Sequence, residues 1–287
     1  MKNICLLVFC FLICFSCKEK HEHTHSGEHS HEHSGHDHDG HDHDGHNHDG
    51  HNYDGHNHDA GHAHTHDTGD VNIMPLNTLT KEEQAAGWTL LFDGKDLDQW
   101  KGYKSDTPTN WTIKDNTLYF DATGDGEGGD IMTAKQYKDF EFALDWKISK
   151  CGNSGIMWNI QELEGSDRTF QTGPEMQILD NPCHEDGKIE KHRAGDLYDL
   201  IETSVANSKP AMEWNSIKIR SKDGKYEFYQ NGEKVVEFEM HTPEWKKMIA
   251  ESKFSEWPEF GNAKQGHIAL QDHGNPVWFK DIRIREL

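Results

Sequence analysis

Residues 140 to 148 read FEFALDWKI, and this stretch decides the fold. Phe140, Phe142, Leu144, Trp146 and Ile148 alternate with Glu141, Ala143, Asp145 and Lys147. That two-residue period belongs to a β-strand with one face in a core and the other toward water. Downstream, Lys225–Gln230 and Glu233–Phe238 flank Asn231-Gly232. Asn-Gly between two such runs marks a tight hairpin, because both central turn positions require a positive φ. Shorter strand candidates are Thr89–Phe92, Thr117–Asp121, Ser154–Ile160, Glu175–Leu179, Asn215–Ser221, Gly266–Gln271 and Val277–Arg285.

Helices are few. Thr80 with Glu83 forms a capping box for a short helix, Lys81–Ala86, ending at Gly87. Thr242 and Pro243 open a second, with Trp245, Met248 and Ile249 on one side. Many short strands without crossover helices specify an all-β fold, a sandwich of two antiparallel sheets with short peripheral helices. Trp88, Trp100, Trp111, Trp146 and Trp278 are assigned to packing.

The sandwich occupies residues 75–287, and what precedes it has a different texture. Lys2 followed by an uncharged apolar run from Ile4 to Phe15 has the order of a secretion signal, residues 1–16, and is too short to span a bilayer. Ser16-Cys17 follows at once, so Cys17 is the expected site of cleavage and lipidation, with the bilayer contacted through that lipid alone. A lipid-anchored protein of the bacterial envelope follows, in the periplasm or on the outer-membrane surface.

Residues 17–74 form the expected tether. Eighteen histidines lie between His21 and His66, and from His36 the text repeats every five residues as HDHDG, HDHDG, HNHDG, HNYDG and HNHDA. With almost nothing apolar to bury, the segment cannot offset the entropy of ordering it. Imidazoles beside carboxylates, as at His36, His38, His41, His43, His46 and His48, are a ligand set for Zn, Ni or Cu. A hydrated spacer needs no metal, and that plainer reading stands beside it.

Formal net charge is −22, which excludes nucleic acid as a partner. Cys151 and Cys183 are the cysteines left after Cys17. In an oxidising compartment they can form a disulfide, the alternative being two buried thiols. The sequence names no oligomeric state.

Three stretches carry polar side chains at strand ends. PEMQILDN (174–181) puts Glu175 and Gln177 on one strand face, Met176 and Ile178 on the other, and Asp180 where the strand stops. GHIALQDHGNP (266–276) runs out through Gln271 into Asp272-His273, either an acid–base pair or a capped turn. CGNSGIMW (151–158) offers Asn153 for hydroxyl groups and Trp158 as a stacking platform for a sugar ring. Arg168, His192, Arg193 and Tyr198 lie in the polar stretch between strands that can overhang such a face. No Gly-x-Ser-x-Gly elbow, His-Glu-x-x-His or phosphate loop is present, and the acidic loop Gly124–Gly129 would repel phosphate, while its spacing is not that of an EF-hand for calcium.

GWTLLFDGKDLDQW (87–100), NSGIMW (153–158), PEMQILDN, GDLYDLI (195–201), EWNSIKI (213–219), GHIALQDHG and VWFKDIRI (277–284) together resemble the 3-keto-disaccharide hydrolase domain family. The resemblance implies a concanavalin-like jelly-roll sandwich and an enzyme acting on 3-keto-glycosides, typically in the envelope of glycan-degrading bacteria. The family's Glu-x-Gln-x-x-Asp falls on Glu175, Gln177 and Asp180, and its Gln-Asp-His on Gln271, Asp272 and His273. Pro174 stands where an aromatic or small residue is commoner, and Lys280-Asp281 where Arg-Asn is usual.

A ketone at C3 acidifies the C2 proton, so the implied route is elimination of the aglycone from C1 followed by hydration. In it Glu175 or His273 is the base, Asp272 orients His273, and Gln177, Gln271 or a bound divalent metal polarises the ketone, with Asn153, Trp158 and Tyr198 binding the sugar. The competing route is direct hydrolysis by Glu175 and Asp180. Two further readings remain: a non-catalytic carbohydrate-binding lipoprotein, and a metal-binding one acting through its histidines.

Overall fold

The computed structural model describes residues 75–122 and 129–287. The signal, Cys17, the histidine tract with His36, His38, His41, His43, His46 and His48, and residues 124–128 of the acidic loop lie outside the described residues.

The chain runs through α1 (Lys81–Ala85), β1 (Thr89–Leu90), β2 (Trp100–Gly102), β3 (Trp111–Lys114), β4 (Thr117–Phe120), β5 (Ile131–Thr133), β6 (Phe140–Ile148), β7 (Asn153–Ile160) and β8 (Glu175–Leu179). It continues through β9 (Asn215–Lys222), β10 (Lys225–Gln230), β11 (Glu233–Glu239), α2 (Pro243–Ala250), β12 (His267–Leu270) and β13 (Val277–Glu286). The larger sheet is ordered β11-β10-β9-β6-β13-β4-β3 with β1 added to β13, and the smaller is β2-β5-β12-β7-β8. Neighbouring strands are antiparallel, giving, among the described residues, a two-sheet jelly-roll sandwich of the lectin kind with two short helices.

The alternation in β6 sets the core. Phe140, Phe142, Leu144, Trp146 and Ile148 are buried, and Phe142 lies between Ile219 of β9 and Ile284 of β13. Burying each such side chain contributes about 1.5–3 kcal/mol, which is why the register is fixed: a one-residue slip would carry all five to the outer face. On that outer face Glu141 is buried as well, because Arg285 donates to it at 2.6 Å and Arg220 lies 3.6 Å away.

Several local expectations hold. Thr80 and Glu83 cap α1 reciprocally, and the Thr242 hydroxyl accepts the Trp245 N–H to start α2. Asn231 and Gly232 have φ of 49° and 87°, as the hairpin turn demands. Strands β2, β3 and β5 are too short to show a period. Trp100, Trp111 and Trp146 are core residues, whereas Trp88 and Trp278 are half-buried on the surface. Trp88 lies under Arg283 and Arg285, and Trp278 stacks on Tyr119 at 5.1 Å with Lys147 over its ring.

Cys151 and Cys183 are joined in a disulfide with a Cα–Cα distance of 4.7 Å. It ties the start of β7 to the turn after β8, the two strands that carry most of the site.

Candidate active site

β8 is the last strand of the smaller sheet, with β7 along one edge. Along its other edge lies the segment 195–201. The Gln177 N–H donates to the Asp196 carbonyl at 3.0 Å, Gly195 N–H to the Gln177 carbonyl at 2.9 Å, and Tyr198 N–H to the Glu175 carbonyl at 3.0 Å. The buried Asp196 carboxylate anchors this segment by accepting N–H groups from Arg193 and Thr203, each at 2.7 Å. Backbone pairing therefore places Tyr198 beside Glu175, a neighbour that 22 residues of intervening sequence conceal.

Met176 and Ile178 enter the core between the sheets, so Glu175 and Gln177 face away from it into a cavity of about 290 Å³. Asn153, Phe170, Glu175, Gln177, Tyr198, Lys253, Phe254, Trp257, Gln271 and His273 line it. The structure thus gathers six of the residues singled out in the sequence: Asn153, Glu175, Gln177, Tyr198, Gln271 and His273. Beneath, Met132, Met157, Ile160 and Ala269 form a small apolar cluster on which Phe170 packs.

The polar groups of the cavity are short of partners. Asn153 Oδ1, Gln177 Oε1 and Gln271 Oε1 are buried and accept no hydrogen bond from the protein. A buried acceptor left unpaired costs about 1–3 kcal/mol, so three in one cavity point to a ligand rich in hydroxyl donors. Gln271 Nε2 lies 3.4 Å from Glu175 Oε2, and the Gln271 N–H bonds to the Gly155 carbonyl at 2.9 Å.

Glu175 is only 6% exposed. Burial, reinforced by the charge of Asp130 and opposed by that of Lys253, pushes its carboxyl up to about 8. Asp130 itself is pushed up to about 6, mainly by burial, although the Thr169 hydroxyl and the Asp272 N–H both donate to it. Burial and the carboxylates of Asp186, Glu175 and Asp199 raise the Tyr198 phenol above its ordinary value and keep its proton on.

Three sequence expectations are corrected. Trp158 is fully buried, its ring 5.4 Å from Tyr226 and 5.3 Å from Phe228, so it fills the core and cannot stack on a sugar. Trp257, with Phe170 edge-on at 5.2 Å, supplies the aromatic wall instead. Asp180 is outside the cavity, and its Oδ2 accepts the Cys151 N–H at 2.8 Å. Asp272 does not hold His273; its Oδ1 accepts the Gly274 N–H at 2.8 Å and closes a turn. His273 is exposed at the rim, its ring 6.3 Å from that of His184.

Lys253, Trp257 and Asp130 escaped the sequence reading. Lys253 and Trp257 sit on a 3-10 turn after α2 with no strand period, and Asp130 borders the acidic loop. Among the described residues, one group of metal-ligand types lies together: Cys151, Asp180 and Cys183 bring one donor atom each within 4.8 Å of one another. Such a set could hold a metal ion only with the disulfide reduced, since thiolates are the ligands.

A two-sheet sandwich whose sheet carries a hydroxyl-accepting cavity with a buried, proton-holding carboxyl defines a carbohydrate-active β-sandwich protein. The chain belongs to the 3-keto-alpha-glucoside-1,2-lyase-like domain family, whose model matches residues 87–285. It is 37% identical over 239 residues to a 3-keto-disaccharide hydrolase of Bacteroides thetaiotaomicron, covering 74% of this chain and 82% of that one. A crystal structure of a protein from Parabacteroides distasonis assigned to the glycosyl hydrolases matches with a TM-score of 0.69 and 34% identity, covering 74% of this chain and 100% of that one. A second from the same organism, assigned likewise, matches with a TM-score of 0.53 and 25% identity over 70% and 99% of the chains.

Proposed function

We propose that this chain is a glycoside-cleaving enzyme of the hydrolase/lyase type acting on 3-keto-glycosides by elimination followed by hydration. The observation that carries it is the Glu175 carboxyl, pushed up to about 8 inside a cavity bordered by three unpartnered amide oxygens. Once ionised, such a carboxylate is a stronger base than an ordinary one, matched to a proton on carbon beside a ketone. The sugar's hydroxyl groups would donate to Asn153, Gln177 and Gln271, with its apolar face against Trp257.

In this mechanism Glu175 removes the C2 proton. The aglycone leaves toward the open rim, where His273 donates the proton its oxygen needs. Water then adds to C1 and the proton returns to C2. Asp180 lies outside the cavity, and Asp130, whose charge reaches Glu175, is held by the Thr169 hydroxyl and the Asp272 N–H without lining the cavity, so no second carboxylate is placed for direct hydrolysis among the lining residues, which favours elimination.

Around this domain we place a secretion signal at residues 1–16, a lipid on Cys17 and a tether of residues 17–74 binding Zn, Ni or Cu through its histidines. The protein is then held at the bacterial envelope by its lipid, and the disulfide accords with an oxidising compartment. The test is an assay of the chain with and without residues 21–70 against a 3-keto-disaccharide and its unoxidised parent, each with and without chelator. Turnover of the keto sugar alone, unaffected by the deletion, is expected. Cleavage of the parent at an equal rate would replace elimination with ordinary hydrolysis, and binding without turnover would make the domain a sugar-binding module.

A further inference from the structure

Lys253 stands at the lip of the cavity, at the start of the 3-10 turn Lys253–Glu256. Ser252 caps that turn by accepting the Phe254 N–H, and the buried Phe254 ring stacks on Phe260 at 3.9 Å. The turn is thus pinned from below while the lysine side chain is left exposed. Its Nζ donates to Tyr198 Oη at 2.9 Å and lies 4.0 Å from the centre of the Tyr198 ring.

Tyr198 is fixed from behind. Its ring packs 4.4 Å from His192, whose Nε2 is 2.9 Å from Asp199 Oδ1 and whose Nδ1 is 3.9 Å from Asp186 Oδ2. Since Tyr198 Oη accepts from Lys253 and keeps its own proton, the O–H remains free to donate into the cavity. An ammonium and a phenol thus converge beside Glu175, whose carboxyl feels the lysine charge. Elimination from a ketone needs a base and, next to it, donors for the oxygen that becomes negative.

We propose that Lys253, together with the Tyr198 hydroxyl, binds the C3 oxygen of the substrate and holds its negative charge while the C2 proton is removed. This assignment rests on the keto-glycoside reading and adds to it the group that stabilises the enolate. Glu175 takes the proton from C2, the electron pair of that C–H bond becomes the C2=C3 bond, and the carbonyl π pair moves onto oxygen between Lys253 and Tyr198. When the carbonyl re-forms, the C2=C3 pair shifts to C1=C2 and the C1–O bond breaks. The departing oxygen takes its proton from His273. No oxidant or reductant enters. His192, Asp199 and Asp186 are positioning residues, since they reach the substrate only through Tyr198.

The test separates enolate formation from loss of the aglycone. A 3-keto-1,5-anhydro sugar has no aglycone to lose, so exchange of its C2 hydrogen in deuterated water, followed by NMR, reads the first step alone. With the full chain, Lys253→Met lowers both this exchange and turnover of a 3-keto-glucoside by roughly 100-fold, the loss typical of one oxyanion donor. Added ethylammonium restores exchange in Lys253→Ala, which a structural role would not allow. Unchanged thermal melting checks that the exposed turn has kept its fold.

Exchange in Lys253→Met within threefold of the parent overturns the assignment, whether or not turnover falls. An active parent protein in that experiment leaves the proposed function standing. A parent inactive on every 3-keto substrate would remove both.

Discussion

The carboxyl group of Glu175 lies over the backbone of Gly155, in the space that a β-carbon at that position would occupy. β7 and β8 run side by side there, with Gly155 opposite Gln177 and Met157 opposite Glu175. The missing side chain at Gly155 is therefore what lets the carboxyl lie down beside Gln271. Gly155→Ala is expected to push Glu175 aside, lowering kcat/KM on the order of 100-fold, because misplacing a reacting group by about 1 Å costs that much. Overpacking should cost about 1–3 kcal/mol of stability. Turnover and thermal melting check both, and a fully active variant would show that this carboxyl position is not the reactive one.

Glu175 also makes a signed prediction about pH. Its folded value, about 8, lies above the 4.5 of an exposed glutamate, so the folded state holds a proton that the unfolded state gives up between those values. Its contribution to stability is therefore present below about pH 4.5 and is lost as pH rises toward 8. Glu175→Gln, which cannot ionise, should melt higher than the parent at pH 8 and show little difference at pH 4. The same ionisation makes the base, so exchange of the C2 hydrogen of a 3-keto-1,5-anhydro sugar, which needs no acid for a leaving group, should climb with pH to a plateau above about 8 in the parent protein. A rate that falls through that range would make Glu175 the acid instead.

Asp130 tunes that limb. Its charge is the second cause of the high Glu175 value, after burial. Asn can still accept one of the two hydrogen bonds that Asp130 receives from Thr169 and Asp272. Asp130→Asn should accordingly move the rising limb of that exchange to lower pH. An unmoved limb would mean that the two carboxyl groups do not sense each other.

How much of this was legible in the sequence follows from the range of each signal. Alternation in Phe140–Ile148 and the Asn231-Gly232 turn are local, and they yield the two-sheet architecture without any partner strand in view. The face shared by Glu175 and Gln177 was readable for the same reason. Trp158 was misread because β7 is buried on both faces, Ile156, Met157 and Trp158 being consecutive apolar residues, so nothing local says which face fronts the core between the sheets. Asp180 and Asp272 were misread because a carboxylate at a strand end caps backbone N–H groups as readily as it does chemistry. Lys253 and Tyr198 meet only through the tertiary fold, 55 residues apart.

The disulfide closes a loop between positions 32 residues apart and clamps the ends of β7 and β8. By loop-closure entropy it contributes about 3–4 kcal/mol. Cys151→Ser with Cys183→Ser should lower the melting temperature on the order of 10 °C for a domain of this size. Reductant should do the same to the parent and nothing to the double variant. Equal melting of the parent with and without reductant would mean that the pair does not hold the two strands.

Asp180 supplies the sharpest separation of elimination from direct hydrolysis. Two carboxyl groups that share a glycosidic bond must stand about 5–10 Å apart. Asp180 follows Glu175 by five positions along an extended strand, a separation of roughly 16 Å at 3.3 Å per residue. Its carboxylate is already committed to the Cys151 N–H, and its carbonyl accepts N–H groups from Cys183 and His184. Asp180→Asn keeps an acceptor for Cys151 but loses the charge, so it should cost about 1 kcal/mol and leave kcat/KM within about threefold. A hundredfold loss of turnover with normal melting would return Asp180 to the reaction, and would require β8 to bend far more than its pairing with β7 allows.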